Sequence, residues 1–311
     1  MVRSNLISIS VGYPNLFSVK LTNTQNADTP SPFQQMLQLP VSQLQSYTPI
    51  LASDFHNVRF VYNGVAIPAW LESISNGVAT IWVKLPVSIP ANSSITIDME
   101  VDPSLNFDGV YWGEAPELSP TYSQYDNGAS VFSFYDNFAG TSLNTNKWTS
   151  LASVYTIDNG LQITATPSTT DNNFLESVSK YSVPLIIDIY RYTTNNSNNA
   201  WFGFSFPNTF STGGVLFYDQ LGWSMYKGSS QISGGSESLN TWYIQTGILA
   251  PNGQALENIN YNNVLSSSTG YYSGTSGNIN ICDGGGRGTI QWLRTRAYPP
   301  NGVMPSVEVI A

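Results

Sequence analysis

The chain has 311 residues and a formal net charge of −9, with only 10% charged residues and 13% aromatics, where an average soluble protein carries about 25% charged residues. An acidic chain this poor in Lys and Arg excludes a sequence-independent grip on nucleic-acid phosphates, which takes a basic stripe. With one cysteine, Cys282, and one histidine, His56, it also excludes an intrachain disulfide and a Cys/His metal cluster.

The predicted elements begin with two alternating stretches, Leu6–Val11 and Leu16–Leu21, separated by Gly12-Tyr13-Pro14. Neither is preceded by a charged n-region or runs long enough to cross a membrane. The chain therefore reads as the mature part of a longer product, or as a virion protein assembled inside a cell. The leading strand either edges its own domain or completes a neighbour's sheet. Val41–Tyr47 hints at a short helix. Ala79–Leu85 places Ile81, Val83 and Leu85 inward, and Ser94–Val101 alternates strictly, with Ile95, Ile97, Met99 and Val101 on one face.

Between Asp102 and Val131 the chain holds Pro103, Pro116 and Pro120 with Gly109, Gly113 and Gly128. That density of breakers predicts a linker over 104–130 between domains at 1–103 and 131–311. In the second block, Val154–Ala165 predicts a hairpin turning at Asn159-Gly160, a pair suited to positive φ. Strands follow at Leu185–Tyr190, Trp201–Phe206, Val215–Tyr218, Trp242–Leu249, Asn278–Cys282 and Thr289–Arg294. Thr193–Asn199, Gly228–Ser238 and Ser266–Gly277 read as exposed loops. No helical period is long enough to connect parallel strands, so the fold class is all-β: two mostly antiparallel sandwich domains.

The first block carries NVRFVYNGVAIPAWLES at Asn57–Ser73 and ATIWVKLPVSIPANSSITIDMEV at Ala79–Val101. These stretches resemble an uncharacterised β domain of archaeal and some bacterial surface proteins. FYDNFAGTSLNTNKW at Phe134–Trp148 resembles the opening of a concanavalin/laminin-G-like jelly roll, which often follows that domain. The resemblance implies core positions for Phe134, Phe138 and Leu143, with Trp148 capping the sandwich edge. It implies a place in archaeal adhesins, pilus-like filaments or virus attachment proteins, at a cell or virion surface, with other subunits of that assembly as partners. Related sandwiches often bind calcium near this strand. Asp136 and Asn137 are accordingly read as a calcium site or as an Asx turn holding the loop.

The carboxylates lack the close pairing on one strand that glycoside hydrolysis uses. Asp188 stands alone in LIIDIY, and Glu114 and Glu117 lie in the Pro-rich stretch. His56 precedes a strand of the other block, Cys282 lies in an apolar strand, and DGGGRG at Asp283–Gly288 lacks the Lys-Ser/Thr and helix of a phosphate loop. The expectation is a non-enzymatic module, with a polysaccharide-acting enzyme as the alternative. Tyr111, Trp112, Trp223, Tyr226, Tyr271 and Tyr272 fall in or beside predicted loops, where flat rings suit sugar faces, with Arg287 free to reach a carboxylate or a glycan; core capping or subunit packing is the other reading. Asn92 and Asn195 each open a glycosylation sequon. A surface of Ser, Thr, Asn and Tyr keeps few carboxylates to lose on acidification, which suits an acidic exterior, a glycan-facing surface or tight packing in an assembly.

Overall fold

The computed structural model describes residues 16–150, 155–163, 174–195, 200–205, 214–219, 222–227, 230–283 and 287–310. The first part comprises β1 (Leu16–Asn23), β2 (Phe33–Pro40), α1 (Val41–Tyr47), β3 (Val58–Tyr62), β4 (Val65–Ala66), β5 (Ala69–Ser75), β6 (Val78–Leu85), β7 (Ser93–Val101) and β8 (Trp112–Glu114). After α2 (Gly128–Val131) come β9 (Phe134–Asp136), β10 (Trp148–Ser150), β11 (Tyr155–Ile157), β12 (Leu161–Ile163), β13 (Phe174–Ser182), β14 (Leu185–Asn195), β15 (Ala200–Ser205), β16 (Val215–Asp219) and β17 (Trp223–Lys227). The chain ends with β18 (Ser230–Gly234), β19 (Trp242–Leu249), β20 (Ala255–Ile259), β21 (Asn262–Ser266), β22 (Ser276–Asp283), β23 (Arg287–Arg296) and β24 (Ser306–Ile310). None of the described helices is long and apolar enough to cross a membrane.

The first sandwich packs the sheet β24-β1-β7-β3-β4 against the sheet β2-β6-β5-β8. Their alternating apolar positions meet in one core, with Phe17, Phe33, Ile81, Val83, Ile97 and Met99 fully buried. Ile95 of the predicted face is half-buried against that core. The pairing is antiparallel except between β5 and β8. β1 lies between β7 and β24, so Leu16–Leu21 is an inner strand and not the predicted edge; the Leu6–Val11 stretch lies outside the described residues.

The second sandwich packs β10-β13-β22-β15-β16-β17-β18 against β11-β12-β23-β14-β19-β20-β21, with β9 also on β23. β22 runs between β13 and β15, and β23 between β12 and β14. These late strands threaded between earlier ones are the crossing connections of a jelly roll. Phe134, Phe138 and Trp148 are buried in its core, and Leu143 packs against it. The hairpin of β11 and β12 forms as expected, although its register, Ile157 opposite Leu161, leaves three residues in the turn. Asn159 and Gly160 both take positive φ, and their N–H groups donate to Gly140 and Phe138.

Three sequence expectations change. The 104–130 stretch is no free linker: Trp112 and Ala115 are buried, β8 joins a sheet, and Gly113 packs so closely that a Cβ would stand 2.2 Å from the Tyr125 carbonyl oxygen. The last strand, β24, crosses back to the first sandwich, so 131–311 is not one self-contained unit. Parts of the predicted loops are strand: Thr193–Asn195 extends β14, Ser230–Gly234 is β18, and Ser276 begins β22.

The two sandwiches meet face to face. Trp82 occupies the outer side of β6, opposite the core-facing Ile81 and Val83, and with Trp70 of β5 it packs on Phe132, Tyr135 and Trp292. Within this apolar layer lies a buried ionic cluster. Arg294 donates to Asp188 at 2.9 Å and to Glu72 at 2.7 Å, while Arg296 donates to Asp188 at 2.8 Å. The Arg294 guanidinium also lies 4.5–5.3 Å from the ring centres of Trp82, Trp292, Phe132 and Trp70. Rings on its faces and carboxylates at its edge match what a planar cation needs away from water. Burial alone would raise the Asp188 carboxyl, but Arg296 and Arg294 hold it down at about 2.

Candidate functional site: a cleft between the sandwiches

Beside this interface the two sandwiches leave an open cleft of about 510 Å³. Its aromatic wall is a consequence of strand register. Tyr190 of β14 lies opposite Trp292 of β23, and Tyr192 lies opposite Trp242 of β19, so four rings share the outer face of one sheet. Tyr190 stacks on Trp292 at 5.4 Å and 21°, and on Trp242 at 4.8 Å and 27°; Trp242 continues to Tyr192 at 5.3 Å. Trp292 is fully buried, whereas Tyr190, Tyr192 and Trp242 keep partial exposure. Trp292, Tyr190 and Trp242 line the cleft together with Ile244, Asn260 and Tyr261.

The facing wall comes from the first sandwich and is polar: Gln38, Ser73, Ser75, Asn76 and Thr80, with Glu72 below and Glu117 and Leu118 at one side. The left-handed residues Asn76 and Gly77 make the β5–β6 turn that places these groups at the rim. No Lys, Arg or His is among the lining residues. Amide and hydroxyl groups therefore stand across from stacked rings, the chemistry that holds a sugar face on one side and its hydroxyls on the other.

The two carboxyl groups differ. Glu72 Oε2 accepts from Trp82 Nε1 at 2.8 Å, the Tyr261 hydroxyl at 2.5 Å and Arg294 at 2.7 Å, so it is fully committed to the interface. Glu117 accepts from its own backbone N–H and, at a long 3.4 Å, from Trp292 Nε1, and its Oε2 is buried without a donor among the described residues. Burial, chiefly, with the fields of Asp126 and Glu72, pushes its carboxyl up to about 7.

The residues singled out in the sequence lie elsewhere. Trp112 and Tyr272 are buried, not exposed in loops; Trp112 Nε1 donates to the Phe55 carbonyl at 2.9 Å, and the Tyr272 hydroxyl donates to the Ala250 carbonyl. Trp223 is likewise buried, in β17, edge-on to Tyr243. Tyr226 is half-buried in the same strand, and half-buried Tyr271 donates to the Ser230 carbonyl at 3.1 Å. Tyr111 is exposed, away from the cleft lining. Arg287 opens β23 and Asn195 ends β14, paired through their backbones; their side chains lie outside the described residues. Asn92 is exposed in a turn at φ 50°.

Asp136 and Asn137 form Asx turns in place of a calcium site. Asp136 accepts from the Phe138 N–H at 3.1 Å and from Trp148 Nε1 at 2.6 Å, with Lys147 Nζ 3.5 Å away. Asn137 accepts from the Ala139 N–H and donates to Asp126 at 2.6 Å. Oxygens already engaged by donors and a neighbouring ammonium do not fit a cation that wants six or more oxygens. Among the described residues no group of three or more His, Cys, Asp or Glu side chains could hold a metal.

A family model described as a domain of unknown function, DUF2341, matches residues 54–105, within the first sandwich. Along 97% of its length the chain is 29% identical to "Uncharacterized protein 562" of Sulfolobus islandicus rod-shaped virus 1. It spans 60% of the length of that relative. Solved structures similar to about half of the chain include an endo-β-1,3-glucanase from Pyrococcus furiosus, with 12% identity, 54% of this chain and 94% of that one covered, and a TM-score of 0.43. The carbohydrate-binding module CBM66 from Bacillus subtilis is 11% identical, covering 50% of this chain and 98% of its own, with a TM-score of 0.37. The chain thus has a relative in an archaeal virus.

Proposed function

We propose that this protein is a non-catalytic glycan-recognition module exposed on an archaeal virus particle, where it also contacts other subunits. The observation that carries the binding part is the cleft itself: a ladder of stacked rings facing a wall of amides and hydroxyls. The lining carries no basic side chain, which favours neutral over acidic glycans. The viral part rests on the relative from the rod-shaped virus.

Binding is favoured over hydrolysis by the state of the carboxyl groups. Glycoside hydrolysis needs two carboxylates free to trade protons or attack. Glu72 is held by the Trp82 and Tyr261 donors and an ion pair with Arg294, and Asp188 is buried between two arginines, so among the carboxyl groups lining the cleft Glu117 has the spare capacity. Screening the purified protein against a glycan array, followed by calorimetry with the best neutral oligosaccharide, tests the reading. Binding that falls at least tenfold on Trp242→Ala, with no release of reducing ends, is the expected result. Absence of binding to any glycan, or cleavage abolished by Glu117→Gln, would overturn it.

A further inference from the structure

A second, smaller pocket of about 340 Å³ lies at the end of the first sandwich, on the other side of Leu118 from the cleft. Its floor includes Glu114, the last residue of β8, which retains 5% exposure. Ser119 Oγ donates to Glu114 Oε1 at 2.8 Å, and the second oxygen has no donor among the described residues. Burial, chiefly, raises the affinity of this carboxyl for a proton against the Ser119 hydrogen bond, and the two charged groups whose fields reach it, Asp54 and Asp126, are both negative and add to that rise. A buried carboxyl normally has a cation or several donors; this one faces a pocket instead.

The remaining lining matches that demand. Asp54, exposed at the mouth, has His56 Nδ1 2.7 Å from its Oδ1. Phe107 and Tyr125 stack at 5.9 Å and 28° and supply an aromatic wall. Carboxylates beside ring faces attract cations, while the absence of a metal-compatible cluster among the described residues argues for a larger ion than a bare metal. We propose that this pocket binds an organic monocation, an alkylammonium group seated between Glu114 and the Phe107–Tyr125 wall, supplied by a lysine side chain of a partner subunit or by a free amine.

Titrating the full chain with n-butylammonium, N-acetyl-lysine methylamide, n-butanol and calcium, followed by NMR, tests this. Both ammonium probes are expected to shift signals around Glu114, and n-butanol is not. Glu114→Gln should weaken ammonium binding at least tenfold. Asp54→Asn, at an exposed position, should weaken it severalfold and keeps the test valid where Glu114→Gln does not fold. Tighter binding of the lysine derivative than of butylammonium assigns the pocket to a protein partner; equal binding assigns it to free amines. Equal binding of n-butanol and butylammonium, preferential saturation by calcium, or unchanged affinity in both variants would overturn the proposal.

Discussion

Replacing Glu117 by Gln should change how stability depends on pH. In the folded protein its carboxyl is raised from 4.5 to about 7, chiefly by burial. A raised carboxyl contributes stability that is complete below its unfolded value and is lost as pH rises through the folded one. Between pH 4.5 and pH 8 the wild-type protein should thus lose about 3 kcal/mol through this group alone. With about 2 cal/mol/K of unfolding entropy per residue, that corresponds to roughly 5 °C in melting temperature. Glutamine has no proton to lose, so Glu117→Gln should flatten this slope and be the more stable protein at pH 8. Thermal melts of both proteins at half-unit steps from pH 4.5 to 8.5 measure it. Parallel curves, or a variant less stable at pH 8, would refute the assignment of a buried, weakly hydrogen-bonded carboxyl at this position.

Other substitutions probe the interface and the connecting segment. Trp112→Ala removes a fully packed core ring and should destabilise by about 3–5 kcal/mol in denaturant unfolding, while leaving glycan affinity of the folded fraction unchanged. Gly113→Ala would force a Cβ to within 2.2 Å of the Tyr125 carbonyl oxygen and 2.4 Å of Asn127 Oδ1; a loss of at least about 1–3 kcal/mol is expected, where a flexible linker would tolerate it. Arg294→Ala leaves Glu72 and Asp188 without their shared cation and should destabilise by about 3–5 kcal/mol at pH 7, measured by melting temperature. Part of that loss should vanish on acidification as the stranded carboxylates take up protons.

Elements built on local alternation were readable in the sequence. β6 and β7 lie where the period-two pattern put them, and β19 and α1 cover the stretches read as a strand and a short helix. Strands that present no alternating run, such as β18 (Ser230–Gly234) in a Ser/Gly-rich stretch, looked like loop because their pairing comes from a neighbour and not from their own residues. The 104–130 segment misled for a related reason: prolines and glycines mark turns, but they do not say whether the turns are packed, and here they thread Trp112 and Ala115 into buried layers. The site was less legible than the fold. Trp112, Trp223 and Tyr272 were picked for lying near breakers, which is weak evidence of exposure. The signal that was present is Asp188, Tyr190 and Tyr192 on one face of β14, a polar-aromatic face where a free-standing core strand would have shown only one buried side. That this face meets Trp242, Trp292 and the first sandwich depends on register and on contacts more than 100 residues apart, such as Arg294 with Glu72.

Glycan binding is proposed to take place against the aromatic ladder between the sandwiches. Following the indole N–H signals of the eight tryptophans by NMR, while titrating a neutral oligosaccharide identified by array, tests it most directly. The Trp242 signal should shift along a saturable isotherm while that of Trp148, buried in the second core, stays fixed. A Trp242 signal unmoved at saturating ligand would contradict the claim.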